Sequence, residues 1–174
     1  MDDKNRKVEW VGYFVKYWVP VIVLLGIIFW LSGANFTDGK TSEFFFPKIK
    51  SVFPGLSPDS VTFVHELIRA FAHIFEFFLL GLLLSLAINR LHLRISGFQK
   101  GVLIFVLLCL FALGDEFRQS IVALRTASLV DVGLDLVGGL LALILVQCWE
   151  NSFRLKREII KIPTSRDSFG MTKE

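Results

Sequence analysis

The sequence has little of what soluble enzymes and metal proteins are usually built from. Its 174 residues include two cysteines and three histidines, and no long polar segment is left over outside the hydrophobic runs and their connections. It contains no Cys-x-x-Cys pair, no His-Glu-x-x-His motif and no phosphate-binding glycine loop, and we expect Cys109 and Cys148 to be free thiols. Basic and aromatic residues are not interleaved as in single-strand binders, so nucleic acid is not an expected partner. These absences exclude a separate soluble catalytic domain.

What the chain does contain is hydrophobic residues in blocks, at 53% of the sequence with a mean hydropathy of +0.60. A membrane-spanning helix needs about 20 mostly apolar residues. Four stretches qualify, at residues 17–34, 67–89, 101–119 and 129–149. We therefore predict an all-α polytopic membrane protein with four transmembrane helices. Residues 1–16 would form an interfacial N-terminal segment, 17–149 a single membrane domain, and 150–174 a basic tail.

The distribution of basic residues predicts the orientation. Most of the 19 lysine and arginine residues lie in the N-terminal segment, in the connection between the second and third stretches, and in the tail. Because cytoplasmic flanks carry the excess of basic residues, we expect both termini to be cytoplasmic. The net charge of +3 then reflects the excess of basic residues in the cytoplasmic flanks.

The first hydrophobic stretch has two interpretations. Ser32-Gly33-Ala34 resembles the small-residue cleavage site of a signal peptide. However, Asp2, Asp3 and Glu9 are mixed with the basic residues before it, whereas a secretory leader is usually purely basic there. We therefore favour a retained membrane anchor.

Residues 35–61 form the one long connection and are expected on the external side. Phe44-Phe45-Phe46 in this segment predicts either contact with the outer leaflet, in part as a re-entrant piece, or a loop folded over the bundle. At its end, Ser57-Pro58-Asp59 is a good helix start, because a serine cap and an early acid satisfy the first N–H groups and the dipole. Glycines in the fourth stretch predict close helix packing. These are Gly133, Gly138 and Gly139.

Seven polar side chains lie inside three of the hydrophobic stretches. They are His73, Glu76, Asp115, Glu116, Gln119, Asp131 and Asp135. At about 1.5 Å per residue, each lies about 20 to 27 Å from the predicted inner end of its helix, which places all of them in the outer third of the membrane. On each helix they share one side, and His65 and Arg69 extend the stripe of the second. Ionisable groups are costly in lipid, so we expect these sides to converge on a polar pocket that opens outward.

Several roles remain open for this pocket. It could bind a polar head group, with the acids setting the charge, His73 and Gln119 orienting polar groups, and Arg69 and Arg125 holding acids or a phosphate. It could act in a hydrolase or transferase, with Glu116 or Glu76 as general base near His73. It could be a structural network, or a proton or divalent-metal site on His73, Glu76 and Glu116, although one histidine with carboxylates is a weak metal signature. No cofactor is otherwise expected, and the sequence gives no signal for an oligomeric state.

Three segments resemble the VanZ-like family of membrane proteins. Arg69-Ala-Phe-Ala-His73-Ile-Phe-Glu76-Phe77 through Gly81 is similar to its Lys-x-x-x-His-x-x-Glu-Tyr-x-x-Leu-Gly stretch. Asp115-Glu116-Phe-Arg-Gln119 is similar to its Asp-Glu-x-x-Gln motif, and Arg125 with Asp131, Asp135 and Gly138 to its Arg…Asp-x-x-x-Asp/Asn-x-x-Gly block. The resemblance covers residues 60–147. Arg69 replaces the usual lysine, Phe77 the usual tyrosine, and Ala123-Leu124 the usual Pro-Gly.

The resemblance implies a bacterial cell-envelope protein in the plasma membrane. The family is named for a protein that raises resistance to teicoplanin, a glycopeptide whose acyl chain inserts in the outer leaflet. Membrane lipid, a lipid-linked cell-wall precursor or a lipoglycopeptide are accordingly the implied partners. The resemblance implies no particular reaction, and the depth predicted for the pocket is consistent with recognition of a lipid-linked polar group.

Overall fold

The chain forms five helices over the part of the sequence that the structure describes. A computed structural model describes residues 3–33, 38–91, 93–121 and 128–161. The helices are α1 (Asp3–Leu31), α2 (Asp38–Val52), α3 (Pro58–Arg90), α4 (Gly97–Ile121) and α5 (Leu129–Lys161). These residues contain no strand, so the all-α prediction is confirmed.

Four of the helices are long and apolar enough to cross a membrane, which confirms the predicted number of spans. The qualifying segments are Glu9–Leu31, Pro58–Arg90, Gly97–Ile121 and Leu129–Phe153. The helices are longer than the apolar stretches, since α1 begins well before residue 17 and α5 continues past Trp149. The cytoplasmic location of both termini stays a prediction.

The connection between the first two spans contains α2, a helix that the sequence did not predict. Ile49 is buried, and the rings of Phe45 and Phe46 contact His65 of α3, with centroids 6.0 and 5.6 Å from the imidazole. On the other side of α2, Phe44 is exposed, and Lys48 lies over its ring with Nζ 3.3 Å from the centroid. The segment therefore covers the start of α3, as the folded-over interpretation proposed.

Helix α3 is the centre of the bundle and packs against each of the other four helices. Its start matches the prediction, because Ser57 is the N-cap and its hydroxyl accepts a hydrogen bond from Ser60 N at 3.3 Å. Apolar residues spaced three and four apart on α3 form much of the core. The buried ones are Phe77, Leu80, Leu84, Ala87 and Ile88. Near the end of α3, Tyr13 of α1 donates a hydrogen bond to Ala87 O at 2.5 Å.

Helices α3 and α5 run parallel and in step along their whole contact. Near the start of both helices, Arg69 contacts Asp131 at 2.7 Å. Near their other ends, Asn89 Nδ2 donates to Glu150 Oε1, also at 2.7 Å. The two residues of each pair are separated by nearly the same number of positions in the sequence, so the register between the two helices is constant. This contact is the most extensive between any two described helices.

Glycines allow the backbones of these two helices to approach closely. A Cβ atom at Gly138 would collide with the backbone of Ile74, whose Cα would be 3.0 Å away. One at Gly81 would lie 2.8 Å from the Cβ of Ala142, and one at Gly139 would lie 2.7 Å from Leu108 Cδ1 of α4. The prediction for Gly138 and Gly139 is therefore confirmed. It is wrong for Gly133, where a Cβ would have no neighbour within 4 Å.

We expect Gly138→Ala to lower the free energy of unfolding by about 2 kcal/mol or more, because overpacking against backbone cannot be relieved by a side-chain rotation. The matched control is Gly133→Ala on the same helix, which should be neutral or stabilising by up to about 1 kcal/mol through helix propensity. Unfolding of the purified protein in detergent, followed by circular dichroism, measures both. Equal stability of the two variants would contradict the packing argument.

Candidate functional site

The polar residues of three spans meet at one end of the bundle. At this end α1 and α4 finish and α3 and α5 begin, and we call it the polar end. Six of the seven polar side chains predicted inside the spans lie there and are less than one-tenth exposed. They are His73, Asp115, Glu116, Gln119, Asp131 and Asp135. Glu76 and Arg69 are partly buried. The structure arranges them in distinct groups rather than around a single opening.

The first group joins α3 to α5 through two consecutive helical turns. Arg69 Nη2 donates to Asp131 Oδ2 at 2.7 Å, and His73 Nδ1 donates to Asp135 Oδ1 at 2.9 Å. Because each pair of partners is four residues apart on its own helix, parallel packing brings both pairs together at once. His73 Nε2 also lies 3.9 Å from Asp131 Oδ2. The imidazole is therefore held between two carboxylates.

The second group of polar residues lies on α4, and one of them, Glu116, forms a hydrogen bond at the start of α5. Glu116 Oε1 accepts a hydrogen bond from Ser128 N, and Ser128 O accepts bonds from the amides of Asp131 and Val132. A carboxylate at this position complements the positive end of the helix dipole. The geometry thus gives Glu116 a structural task, and it lines neither of the cavities described below.

Asp115 and Gln119 form the rest of the group on α4. Gln119 Nε2 donates to Asp115 Oδ2 at 2.6 Å, across one helical turn. Asp115 Oδ1 and Gln119 Oε1 are buried and have no hydrogen-bond partner among the described residues. Asp115 also lies within electrostatic range of Asp135, so this pair continues the polar network into the centre of the bundle.

Arg118 is directed away from this network and toward the end of α1. A Cβ atom at Gly33 would lie 3.3 Å from Arg118 Nη2 and 2.9 Å from Trp30 O. The last carbonyl groups of a helix attract cations, so the guanidinium is favourably placed there. Because Gly33 has no side chain, it leaves space for the guanidinium group of Arg118.

Two adjoining cavities lie beside α3, on the side covered by α1 and α2. The first has a volume of about 300 Å³, and the second of about 310 Å³. The first is lined by Leu31, Ser32, Thr41, Phe45, His65, Ile68, Arg69, Ala72, His73 and Glu76. The second is lined by Gly39, Ser42, Phe46, Thr62, His65, Glu66 and Arg69. His65 and Arg69 belong to both walls, so the two cavities meet at this stripe of α3.

The structure divides the predicted pocket residues between the cavity wall and the layers behind it. Arg69, His73 and Glu76 line the first cavity. Asp131 and Asp135 hold two of these residues from α5. The α4 residues Asp115, Glu116 and Gln119 line neither cavity, and Arg125 lies outside the described residues.

Several wall residues were missing from the predicted pocket. His65 already lay on the stripe with Arg69 and His73, so its position on the helix was the signal that could have added it. Phe45 and Thr41 come from α2, and their contribution depends on a helix whose docking has no clear sequence pattern. Leu31 and Ser32 come from the end of α1. The α1 and α2 side of the site is therefore a structural finding.

The wall residues define what chemistry the first cavity can support. Two imidazoles, a guanidinium, a carboxylate and two hydroxyl groups face a space that is otherwise bounded by apolar side chains. The hydrogen bond from His73 to Asp135 orients the imidazole as in acid–base sites, so the enzymatic role stays a prediction centred on His73 and Glu76. Within the described ranges, no three histidine, cysteine, aspartate or glutamate side chains are grouped to hold a metal ion.

We expect Arg69 and Asp131 to be coupled energetically. In a double-mutant cycle of Arg69→Gln and Asp131→Asn, the coupling free energy should be about 1 to 2 kcal/mol. It should be below that of a fully buried pair, because the Arg69 side chain is 30% exposed. Denaturant unfolding of the four proteins in detergent measures it, and additive effects of the two substitutions would show that the contact does not stabilise the bundle.

The comparisons with known proteins agree with this architecture. No curated protein and no solved structure matches the chain. The sequence model described as VanZ/LLP1 matches residues 17–150, a range that contains most of the residues of the four candidate spans and all the polar groups of the site. Since the match covers most of the sequence and includes the segments that carry Arg69, His73, Glu116 and Asp131, this membrane protein belongs to the VanZ/LLP1 family.

Proposed function

We propose that the chain is a plasma-membrane protein whose polar end faces the outside of the cell and whose first cavity binds the polar group of a membrane-anchored amphiphile. The observation that carries the proposal is the mixed wall of this cavity. Leu31, Phe45 and Ile68 provide apolar surface, while Arg69, His73 and Glu76 provide charged and hydrogen-bonding groups. Small-molecule sites have this combination of an apolar wall with a few placed polar groups.

The volume of the cavity limits which part of an amphiphile it can hold. At about 300 Å³, it lies at the lower end of the range for small-molecule sites, which extends to about 1,000 Å³. A head group fits such a volume, whereas a long acyl chain would have to stay in the bilayer. Exposed apolar side chains of α3 beside the cavity, such as Phe71 and Phe75, provide a surface for that chain.

The network behind the wall supports binding because it fixes the polar groups in place. Asp131 holds Arg69 and Asp135 holds His73, so neither side chain has to be ordered again when a ligand arrives. Interactions that are organised before binding contribute more to affinity, since less conformational entropy is lost. The carboxylates of α5 act here as positioning groups.

We further propose that such binding gives tolerance to acylated glycopeptides of the teicoplanin type. Membership of the VanZ/LLP1 family supports this proposal, together with the location of the cavity near one end of the spans. The ligand would be either the antibiotic itself or a lipid-linked cell-wall precursor that competes for it. Both carry a polar group at the depth of the cavity if the polar end is external.

Filling the cavity should remove ligand binding. Ile68→Trp places an indole in the wall of the first cavity, and we expect at least a tenfold loss of co-purifying amphiphile, which corresponds to about 1.4 kcal/mol. The matched control is Leu67→Trp, because Leu67 is adjacent, exposed and outside both walls. Native mass spectrometry of the proteins released from an uncharged detergent measures the adduct. Retention of the adduct in Ile68→Trp, with the protein folded, would exclude this cavity as the site.

The same pair of variants tests the proposed tolerance. Expression of the unmodified chain in a glycopeptide-sensitive bacterium should raise the inhibitory concentration of teicoplanin, and leave that of a glycopeptide without an acyl chain unchanged. Ile68→Trp should lose the effect and Leu67→Trp should keep it, at equal protein abundance in membranes. No change of susceptibility with the unmodified chain would reject the tolerance role and leave the binding measurement to stand by itself.

A further inference from the structure

The charges around the cavities are predominantly negative. Six carboxylates lie in the cavity walls or in the network behind them, against two guanidinium groups among the described residues. The carboxylates belong to Glu66, Glu76, Asp115, Glu116, Asp131 and Asp135, and the guanidinium groups to Arg69 and Arg118. Carboxylates therefore outnumber guanidinium groups in this part of the described chain. The lysines of α2 line neither cavity.

Aromatic rings complete the wall on the side of α2. Phe45 lines the first cavity and Phe46 the second, and both rings lie against the imidazole of His65. The face of an aromatic ring attracts a cation, and this attraction grows when the cation leaves water. Aromatic rings in the walls, together with the surplus of carboxylates in the walls and the network behind them, favour a positively charged group over a phosphate or a sulfate.

His65 provides an independent indication of a ligand. It is 7% exposed and lines both cavities. Its contacts with other described residues are the two phenylalanine rings, and none of those residues gives it a hydrogen bond or an ion pair. In the described part of the chain, the enclosed polar atoms without a partner lie on Asp115, Arg118 and Gln119, so the imidazole nitrogens of His65 are accessible from the cavities, and a neutral imidazole nitrogen can accept a hydrogen bond from an N–H donor. A ligand that carries such a donor would satisfy it.

We infer that the first cavity binds the ammonium group of an amine-bearing amphiphile, seated between Phe45, His65 and the carboxylate of Glu76. This inference rests on the proposed binding function and names the chemical class of its ligand. The Glu76 carboxylate supplies charge, His65 accepts a hydrogen bond from the ammonium N–H, and the Phe45 ring packs against the cation. The alkyl part follows the apolar wall at Leu31 and Ile68 into the bilayer.

Three amphiphiles of equal chain length test the inference on the full purified chain. Dodecylammonium, dodecyl phosphate and uncharged dodecyl glucoside are added together at equal concentration to the protein in a maltoside detergent, and the bound species are counted by native mass spectrometry. Because the tails are identical, differences in occupancy report the head group. We expect dodecylammonium to exceed each of the other two by about tenfold.

Variants assign the preference to the cavity. Glu76→Gln should reduce the preference for dodecylammonium severalfold, whereas Glu43→Gln, which removes an exposed carboxylate from α2 outside both walls, should not. If Glu76→Gln does not fold, His65→Phe serves instead, since it keeps a ring of similar shape and removes the hydrogen-bond acceptor.

The outcomes separate the inference from the function on which it rests. If none of the three amphiphiles binds, the proposed function fails, and the inference fails with it. If dodecyl phosphate or dodecyl glucoside binds as well as dodecylammonium, the inference is overturned and the binding function stands. If Ile68→Trp keeps the full preference for dodecylammonium, the amine is bound elsewhere and this cavity is not its site.

Discussion

The parallel contact between α3 and α5 is the constraint on which the rest of the molecule depends. Gly138 lets the two backbones meet at Ile74, which leaves no room for a shift of either helix along the other. With that register set, the same spacing on both helices places Asp131 against Arg69 and Asp135 against His73. An error of one residue would turn each carboxylate by about 100° and leave charges facing lipid. Close packing and charge pairing therefore specify the same arrangement.

The polar end shows how a membrane protein can hold many acids at little net cost. A charged side chain in the middle of a span costs about 2.5 to 3.5 kcal/mol on insertion scales, so each must gain more than this from its surroundings. Asp131 gains a guanidinium, Asp135 an imidazole, and Glu116 the amide of Ser128, directly before α5. Asp115 and Gln119 retain unpaired oxygens within the described region, and these mark the least satisfied part of the network.

Hydrophobic blocks and helix period were sufficient to predict the spans, the cap at Ser57 and the shared side of His65, Arg69, His73 and Glu76. These features depend on properties local to one helix. The division into cavity wall and supporting layer depends on which helix neighbours which, and nothing in the pattern around Glu116 distinguishes a cap for Ser128 from a wall residue. The docking of α2 depends on Phe45, Phe46 and Ile49 packing against α3. Phe44 is the same residue type but is exposed, so residue type alone does not show which side of α2 docks. Gly133 and Gly138 also look alike in sequence, and the helix opposite decides their roles.

The order of the partners along the chain has a consequence for biosynthesis. Arg69 and His73 leave the ribosome long before Asp131 and Asp135, with α4 translated between them. During that interval α3 carries a guanidinium and an imidazole whose final counter-charges do not yet exist. A nascent helix in this condition is poorly suited to release into lipid on its own. Pairing with α5 before release into lipid would spare α3 this cost, so the order of the partners favours integration as a group of helices.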